Sequence, residues 1–179
     1  MILVSYDGSA DAQAAIDRAA QLTPGGEATV LTVWEPAFAG PMGLGGGLAG
    51  SYTDDAETDA ASQQTALARA TDGAQRASAA GLVAEGRIAG QHGGIARAIL
   101  AVAADVDADL IVLGTRGMGG VKSFLLGSVS HEVVQHADRA VLVVPSAGIA
   151  EQRRGWARHS DAERRRGWAQ ATDATFGGS

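Results

Sequence analysis

The sequence predicts an α/β fold, with three layers α/β/α around a parallel β-sheet. Segments with strand and helix patterns alternate along the first 146 residues, as in sheets whose strands are joined by helical crossovers. The run Leu110–Leu113 is short, unbroken and apolar, which is typical of a strand buried on both faces. The chain of 179 residues has room for one ordinary domain. Because only 4% of its residues are aromatic, the core must consist of Ala, Val, Leu and Ile.

Each element is predicted from its local pattern. Ser9 is a suitable N-cap for a first helix, and the alternation of Leu82–Ile88, with its charges on one face, indicates an edge strand. Residues 36–55 contain six glycines without periodicity and are predicted to form a flexible loop or lid. The predicted strands are Ile2–Tyr6, Ala28–Trp34, Leu82–Ile88, Leu110–Leu113 and Val141–Val144. The predicted helices run from Ser9 to about Leu22 and over Ala56–Ala80, Gly94–Asp105 and Val129–Ala137.

Residues 147–179 differ from the preceding domain, which is predicted over 1–146. The domain carries 8 basic and 16 acidic residues, a net charge of −8, whereas the tail has 6 and 4, a net charge of +2. Arg153–Ala157 recurs as Arg165–Ala169, and almost no aliphatic residues are present, so the tail is predicted to be disordered or weakly helical. Its Arg and Trp residues could dock onto a protein partner. A neutral duplication explains the repeat equally well, and we favour it.

Glycines follow the buried strand 110–113 and indicate a ligand site. Parallel sheets bind ligands beyond the carboxyl ends of their strands, where Gly114 and Gly117 lie. Glycine there permits positive φ and close approach of the backbone to a ligand. Gly127 and Ser128 then open a helix, whose unpaired N–H groups favour an anion such as phosphate. The connection 114–126 has thirteen residues, more than a strand-to-helix turn needs, which favours a binding loop over a simple turn.

The spacing of Gly114, Gly117 and Gly127-Ser128 resembles the nucleotide-binding motif of the universal stress protein family. The segments Ile2–Ser9 and 127–145 also resemble the first and last parts of that family's domain. The resemblance implies a Rossmann-like five-stranded sheet of order 3-2-1-4-5, with strand 141–144 at an edge. It further implies a homodimer through that strand and binding of an adenine nucleotide, ATP first and cyclic AMP as the lesser alternative. Mg²⁺ or Mn²⁺ could arrive with the nucleotide phosphates.

The candidate site residues have both functional and purely structural interpretations. Asp7 could bind a ribose hydroxyl or form an Asx turn and helix cap. The glycines and serines could cradle phosphate or merely end a strand and begin a helix. Arg116, or less favourably Lys122, could neutralise phosphate charge, while the family resemblance places Val33 beside the adenine ring. The predicted nucleotide-binding residues are Asp7, Val33, Leu113, Gly114, Arg116, Gly117, Gly127, Ser128, Val129 and Ser130.

Composition and missing motifs favour a binding and regulatory role over catalysis. The chain has no cysteine, no Gly-x-x-x-x-Gly-Lys-Ser/Thr loop and no Gly-x-Ser-x-Gly elbow, and its histidines are not spaced as metal ligands. The acidic domain argues against nucleic acid as a partner, and the sequence shows no signal peptide or membrane span, so the expected location is the cytoplasm. The function expected from the resemblance is a nucleotide-binding stress-response switch. Two alternatives stay open: a dimeric interaction protein with a vestigial site, and a slow ATP hydrolase or cyclic-nucleotide binder.

Overall fold

The computed structural model describes residues 1–36, 54–117 and 126–155, with side chains at all of these except 54–57. Most of the loop predicted at 36–55 therefore lies outside the described residues, as do Lys122 and both tryptophans of the tail repeat. The elements are β1 (Ile2–Ser5), α1 (Ala10–Leu22), β2 (Glu27–Trp34), α2 (Asp54–Ala79), β3 (Val83–Gly90), α3 (Ile95–Asp105), β4 (Leu110–Gly114), α4 (Ser128–His136) and β5 (Ala140–Val144).

All neighbouring strands are parallel, and their order is β3-β2-β1-β4-β5. This confirms the predicted sheet and places β3 at one edge, as its charged face indicated. The other edge is β5. The order reverses direction between β1 and β4, so the crevice of a doubly wound sheet is expected at the carboxyl ends of these two strands.

The core lies on both faces of the sheet, because alternate residues of each buried strand point to opposite sides. Val4 packs in one cluster with Ile16 of α1 and Ala77 of α2. Leu3 packs in the other with Ile99 of α3 and Val133 of α4. α1 packs on the sheet through a face that includes the buried residues Ala12, Ile16, Ala19 and Ala20. The three-layer arrangement is thereby confirmed.

Several predicted boundaries are wrong by one or two residues, and tertiary pairing explains the differences. β3 continues to Gly90 because its register with β2 extends to Trp34. Gly114 belongs to β4 because it pairs with Val144 at the sheet edge. Leu82 precedes β3, since its N–H donates to the carbonyl of Ala77 at the end of α2. α2 also begins earlier than predicted, at Asp54.

The chain divides into two units, residues 1–146 and 147–179. In the second unit the described residues 147–155 are helical. Arg154 and Glu151 form an exposed ion pair of 3.9 Å on that helix. Such an exposed pair contributes little to stability.

Candidate nucleotide site

A cavity of about 940 Å³ opens at the carboxyl ends of β1, β2 and β4. This is the edge at which the sequence places its glycine motif, and the volume lies within the range of small-molecule sites. α2 contributes one wall, and the beginnings of α3 and α4 contribute the other. The cavity is lined by Ser5, Tyr6, Asp7, Ala12, Val33, Trp34, Glu35, Thr58, Ala61, Ser62, Thr65, Ala66, Arg69, Ile95, Leu113, Gly114, Arg116, Gly117, Val129 and Ser130.

Asp7 lies in the turn between β1 and α1, with a defined orientation. One carboxylate oxygen, Oδ1, accepts a hydrogen bond of 2.9 Å from the N–H of Ser9. Ser9 is the N-cap of α1, as predicted, and its hydroxyl accepts from the N–H of Ala12 at 3.2 Å. The other carboxylate oxygen faces Gly117, where an added Cβ would lie only 2.6 Å from Oδ2. Asp7 therefore shapes the turn through one oxygen and meets the glycine motif through the other.

The three motif glycines are distinguished by close contacts and not by positive φ, and at Gly114 and Gly127 these contacts involve backbone or β-carbon atoms. An added Cβ at Gly114 would lie 2.7 Å from Cβ of Asp11, and one at Gly127 would lie 2.9 Å from the carbonyl oxygen of Thr115. Neither of these glycines, nor Gly117, adopts positive φ, so that part of the sequence prediction is wrong. At Gly114 the space for a side chain is missing because α1 begins directly against the end of β4.

Hydrogen bonds join the end of β4 to α1 and α4. The hydroxyl of Thr115 donates to the carboxylate of Asp11, and both side chains are buried. The hydroxyl of Ser130 donates to the carbonyl of Gly114 at 2.8 Å. The N–H of Gly127 donates to the carbonyl of Thr115, also at 2.8 Å. Because the Ser130 proton is directed at Gly114, this hydroxyl can only accept a hydrogen bond from a ligand.

α4 begins at Ser128, with Gly127 as its N-cap in an extended conformation, φ −61° and ψ 154°. No side chain among the described residues caps this helix. Its first N–H groups therefore keep their capacity to bind an anion. Val129 and Ser130 line the cavity, whereas Gly127 and Ser128 are not among its lining residues.

The apolar part of the cavity lies between the ends of β2 and β4. Val33 and Leu113 line it from the sheet, with Ile95 and Val129 contributed by the two helices on that face. On the opposite face the floor includes Tyr6, whose hydroxyl donates to Asp72 at 2.7 Å. Burial and this hydrogen bond raise the pKa of Tyr6 to about 12. The Tyr6 hydroxyl therefore stays protonated near neutral pH and keeps its hydrogen bond to Asp72.

The α2 wall was missed by the sequence analysis. Its cavity-lining residues are Thr58, Ala61, Ser62, Thr65, Ala66 and Arg69. They follow a spacing of three and four residues, so a stripe of small, hydroxyl and basic side chains along one helix face was the available signal. A stripe of this kind is equally typical of a solvated helix face, and only the packing of α2 over the sheet edge distinguishes the two.

Within the described parts of the chain, no three or more His, Cys, Asp or Glu residues are grouped as metal ligands. A helix suited in length and apolarity to crossing a membrane is likewise absent from those parts.

The sheet order and the glycine-lined cavity at its switch point define a Rossmann-like α/β protein. The sequence profile of the universal stress protein family matches residues 1–145, and the chain belongs to this family. A universal stress protein of Thermus aquaticus is 37% identical over 148 residues, which cover 80% of this chain and 96% of the relative.

Solved structures of the family share the fold. UspA from Lactobacillus plantarum is 27% identical, with a TM-score of 0.61 over 80% of this chain and 95% of that one. A universal stress protein solved in complex with cAMP is 25% identical, with a TM-score of 0.55 over 82% of this chain and 96% of that one.

Proposed function

We propose that this protein binds an adenine nucleotide, with ATP as the favoured ligand, and acts as a stress-response switch. The observation that carries the proposal is the meeting of Asp7 and Gly117 in a cavity of nucleotide size. A carboxylate and a bare backbone at the switch point of a parallel sheet are the groups that nucleotide sites of this architecture use. The relative solved with cAMP supports adenine-nucleotide binding in a similar fold.

In this proposal, each part of the cavity binds one part of the ligand. The apolar side chains of Val33, Leu113 and Val129 pack against the base, and Asp7 accepts a hydrogen bond from a ribose hydroxyl. The bare backbone at Gly114 and Gly117 allows the phosphates to approach, and the uncapped start of α4 stabilises their negative charge. Arg116, half-buried beside the motif, supplies positive charge. A divalent cation would be held mainly by the phosphates and not by a dedicated protein site.

Binding, and not turnover, is the proposed activity. A switch of this kind depends first on the occupancy of the site, which follows the concentration of the ligand in the cell, and a cytoplasmic location is part of the proposal. Cyclic AMP is the second candidate ligand, because one similar protein was solved with it.

The proposal is tested by identifying the small molecules released from the purified protein and by titrating ATP, AMP and cyclic AMP by calorimetry. The informative variant is Asp7→Asn. An amide oxygen can still accept the hydrogen bond from Ser9, so the turn is retained, while the charge that meets the ribose hydroxyl is lost. We expect ATP affinity to fall about 10- to 100-fold, the range for a lost hydrogen bond to a charged group.

The matched control is Asp107→Asn, which removes the same charge from an exposed site outside the cavity. Asp107 has φ 49°, a conformation that asparagine tolerates well, so the control should fold and bind like the original protein. Failure of the original protein to bind any of the three nucleotides would sink the proposal. The dimeric interaction protein with a vestigial site would then be the better account.

A further inference from the structure

Arg69 is a cavity-lining cation that the proposed roles above do not use. It lies on the α2 wall and is half-buried. Among the described residues it forms no hydrogen bond or ion pair. Arg76, two turns further along the same helix, binds Asp17 at 2.8 Å. Arg69 thus differs from Arg76 in lying beside the cavity with no ion-pair partner in the part of the chain that the structure describes.

The position of Arg69 relative to the β1–α1 turn is defined by Gly8. A Cβ added at Gly8 would lie 3.7 Å from Nε of Arg69 and 3.8 Å from its Cδ. The arginine therefore lies across the turn that follows Asp7. Gly8 itself has φ +87°, so the turn favours glycine there, whereas a Cβ would only make an ordinary contact with Arg69.

The glycine motif meets the same turn from its other side. The hydroxyl of Ser9 donates to the carbonyl of Arg116 at 3.4 Å, and Gly117 faces Asp7. One turn of three residues thus separates Arg69 of α2 from the segment 116–117. A phosphate chain that starts at the glycine motif lies within reach of a long side chain extending from α2.

The electrostatic balance of the site also points to an anionic ligand. A guanidinium group that is partly removed from water loses hydration, and this loss is offset when it binds a carboxylate or phosphate. Thr65 and Ser62 lie one and two turns before Arg69 on the same helix face, but Thr65 donates its proton to the carbonyl of Ala61. Arg69 is therefore the charged group with which the α2 wall can bind an anion.

We propose that Arg69 binds the phosphate chain of the nucleotide from the α2 side and makes affinity rise with the number of phosphates. This inference rests on the proposed function. It assigns α2 a direct part in ligand binding, so that α2 and the glycine motif hold the ligand from opposite walls. The planar guanidinium suits this role, because it can donate two parallel hydrogen bonds to phosphate oxygens.

The test is a calorimetric titration of adenosine, AMP, ADP and ATP into the full chain and into Arg69→Gln. In the variant we expect ATP affinity to fall about 10- to 100-fold, as for a lost charge-assisted hydrogen bond, and adenosine affinity to be unchanged. The loss of affinity should be larger for ADP than for AMP, and both losses should lie between the unchanged affinity for adenosine and the full loss for ATP. Arg18→Gln is the matched control, since Arg18 is an exposed arginine on α1 outside the cavity. Arg69→Lys, which keeps the charge, should preserve the rank order of the four ligands.

Unchanged ATP binding in Arg69→Gln would overturn the inference. An equal loss for adenosine and ATP would overturn it too, since Arg69 would then support the base or the fold. Thermal unfolding of each variant establishes that it is folded before titration. If the original protein binds none of the four ligands, the proposed function itself fails, which is a different result from normal binding that does not depend on Arg69.

Discussion

The residues around the cavity are held by contacts that leave little freedom for substitution. Gly114 meets Asp11 and the start of α1, Gly117 meets the carboxylate of Asp7, and Gly127 meets the carbonyl of Thr115. Each contact would bring a β-carbon closer than 3.0 Å to its neighbour. Gly114 and Gly127 are therefore packing requirements of the fold, because their neighbours are backbone or β-carbon atoms, whereas Gly117 meets the end of a side chain that can shift.

At the residue scale, Tyr6 predicts how stability changes at high pH. Its pKa is raised from 10.0 to about 12, first by burial and then by its hydrogen bond to Asp72. Above pH 10 the unfolded chain loses the tyrosine proton while the folded protein keeps it. The contribution of Tyr6 to stability is thus complete below pH 10 and is lost as the pH rises towards 12.

This dependence is measured as the free energy of unfolding in urea at a series of alkaline pH values. The chain has two tyrosines and one lysine, so few other groups titrate in that window. In Tyr6→Phe the decline above pH 10 should be shallower than in the original protein. An identical decline in both proteins would contradict the assignment.

At the scale of elements, α2 has two functions along its length. From Ala66 to Ala77 its buried residues are alanine and glycine, which let the helix approach the sheet closely. An added Cβ at Gly73 would lie 2.6 Å from Cδ1 of Tyr6 and 2.8 Å from Cγ1 of Val30. Residues 58–65, in contrast, are exposed or half-buried and contribute to the cavity wall. Packing of the small residues therefore determines where the wall, including Arg69, is placed.

Gly73→Ala tests the close approach of α2. In an exposed helix this change would stabilise by about 1 kcal/mol through helix propensity. Here the new methyl group must displace Tyr6 or the helix, and overpacking of a core costs about 1–3 kcal/mol. We expect a net loss in the free energy of unfolding, measured by urea denaturation.

The matched control for Gly73→Ala is Ala68→Gly at an exposed position of the same helix. It should cost about 1 kcal/mol by propensity alone. If Gly73→Ala proves stabilising, the contact with Tyr6 is looser than the structure indicates.

At the scale of the whole molecule, the two sheet edges differ. Val83 on β3 is 65% exposed, and the strand carries charged side chains that discourage pairing with another chain. β5 is entirely apolar, and Val141, Leu142 and Val143 are half-buried within a single chain. An apolar edge strand of this kind favours association, so the homodimer through residues 141–144 remains our prediction.

The dimer is tested by sedimentation velocity over a range of protein concentrations. We expect a species of about 36 kDa, twice the 18.1 kDa of one chain. Leu142→Lys introduces charge at the β5 edge and should shift the protein to monomer, whereas Val83→Lys at the opposite edge should leave the dimer intact. Monomer at all concentrations in the unaltered protein would refute the prediction.

The neutral origin of the tail repeat also remains a prediction, since Trp156 and Trp168 lie outside the described residues.

The sequence alone determined the fold class, the order of the elements and the edge of the sheet where the site lies. These follow from signals that are local in the chain: the alternation and apolar runs of the strands, the cap at Ser9 and the glycine spacing after β4. Of the predicted site residues, all but Gly127 and Ser128 line the cavity, because residues at the ends of adjacent parallel strands necessarily meet. The family resemblance supplied the strand order, which the structure confirms.

Only the tertiary structure decided which further residues line the cavity beside the predicted site residues, and why glycine is needed in the motif. The contact between Asp11 and Thr115 joins residues 104 positions apart, and Arg69 reaches the turn at Gly8 from a helix whose placement depends on packing at Gly73. Such contacts between distant residues cannot be predicted from the periodicity within one segment. They depend on how closely two elements approach in space, which is set by the side-chain volumes of both elements together.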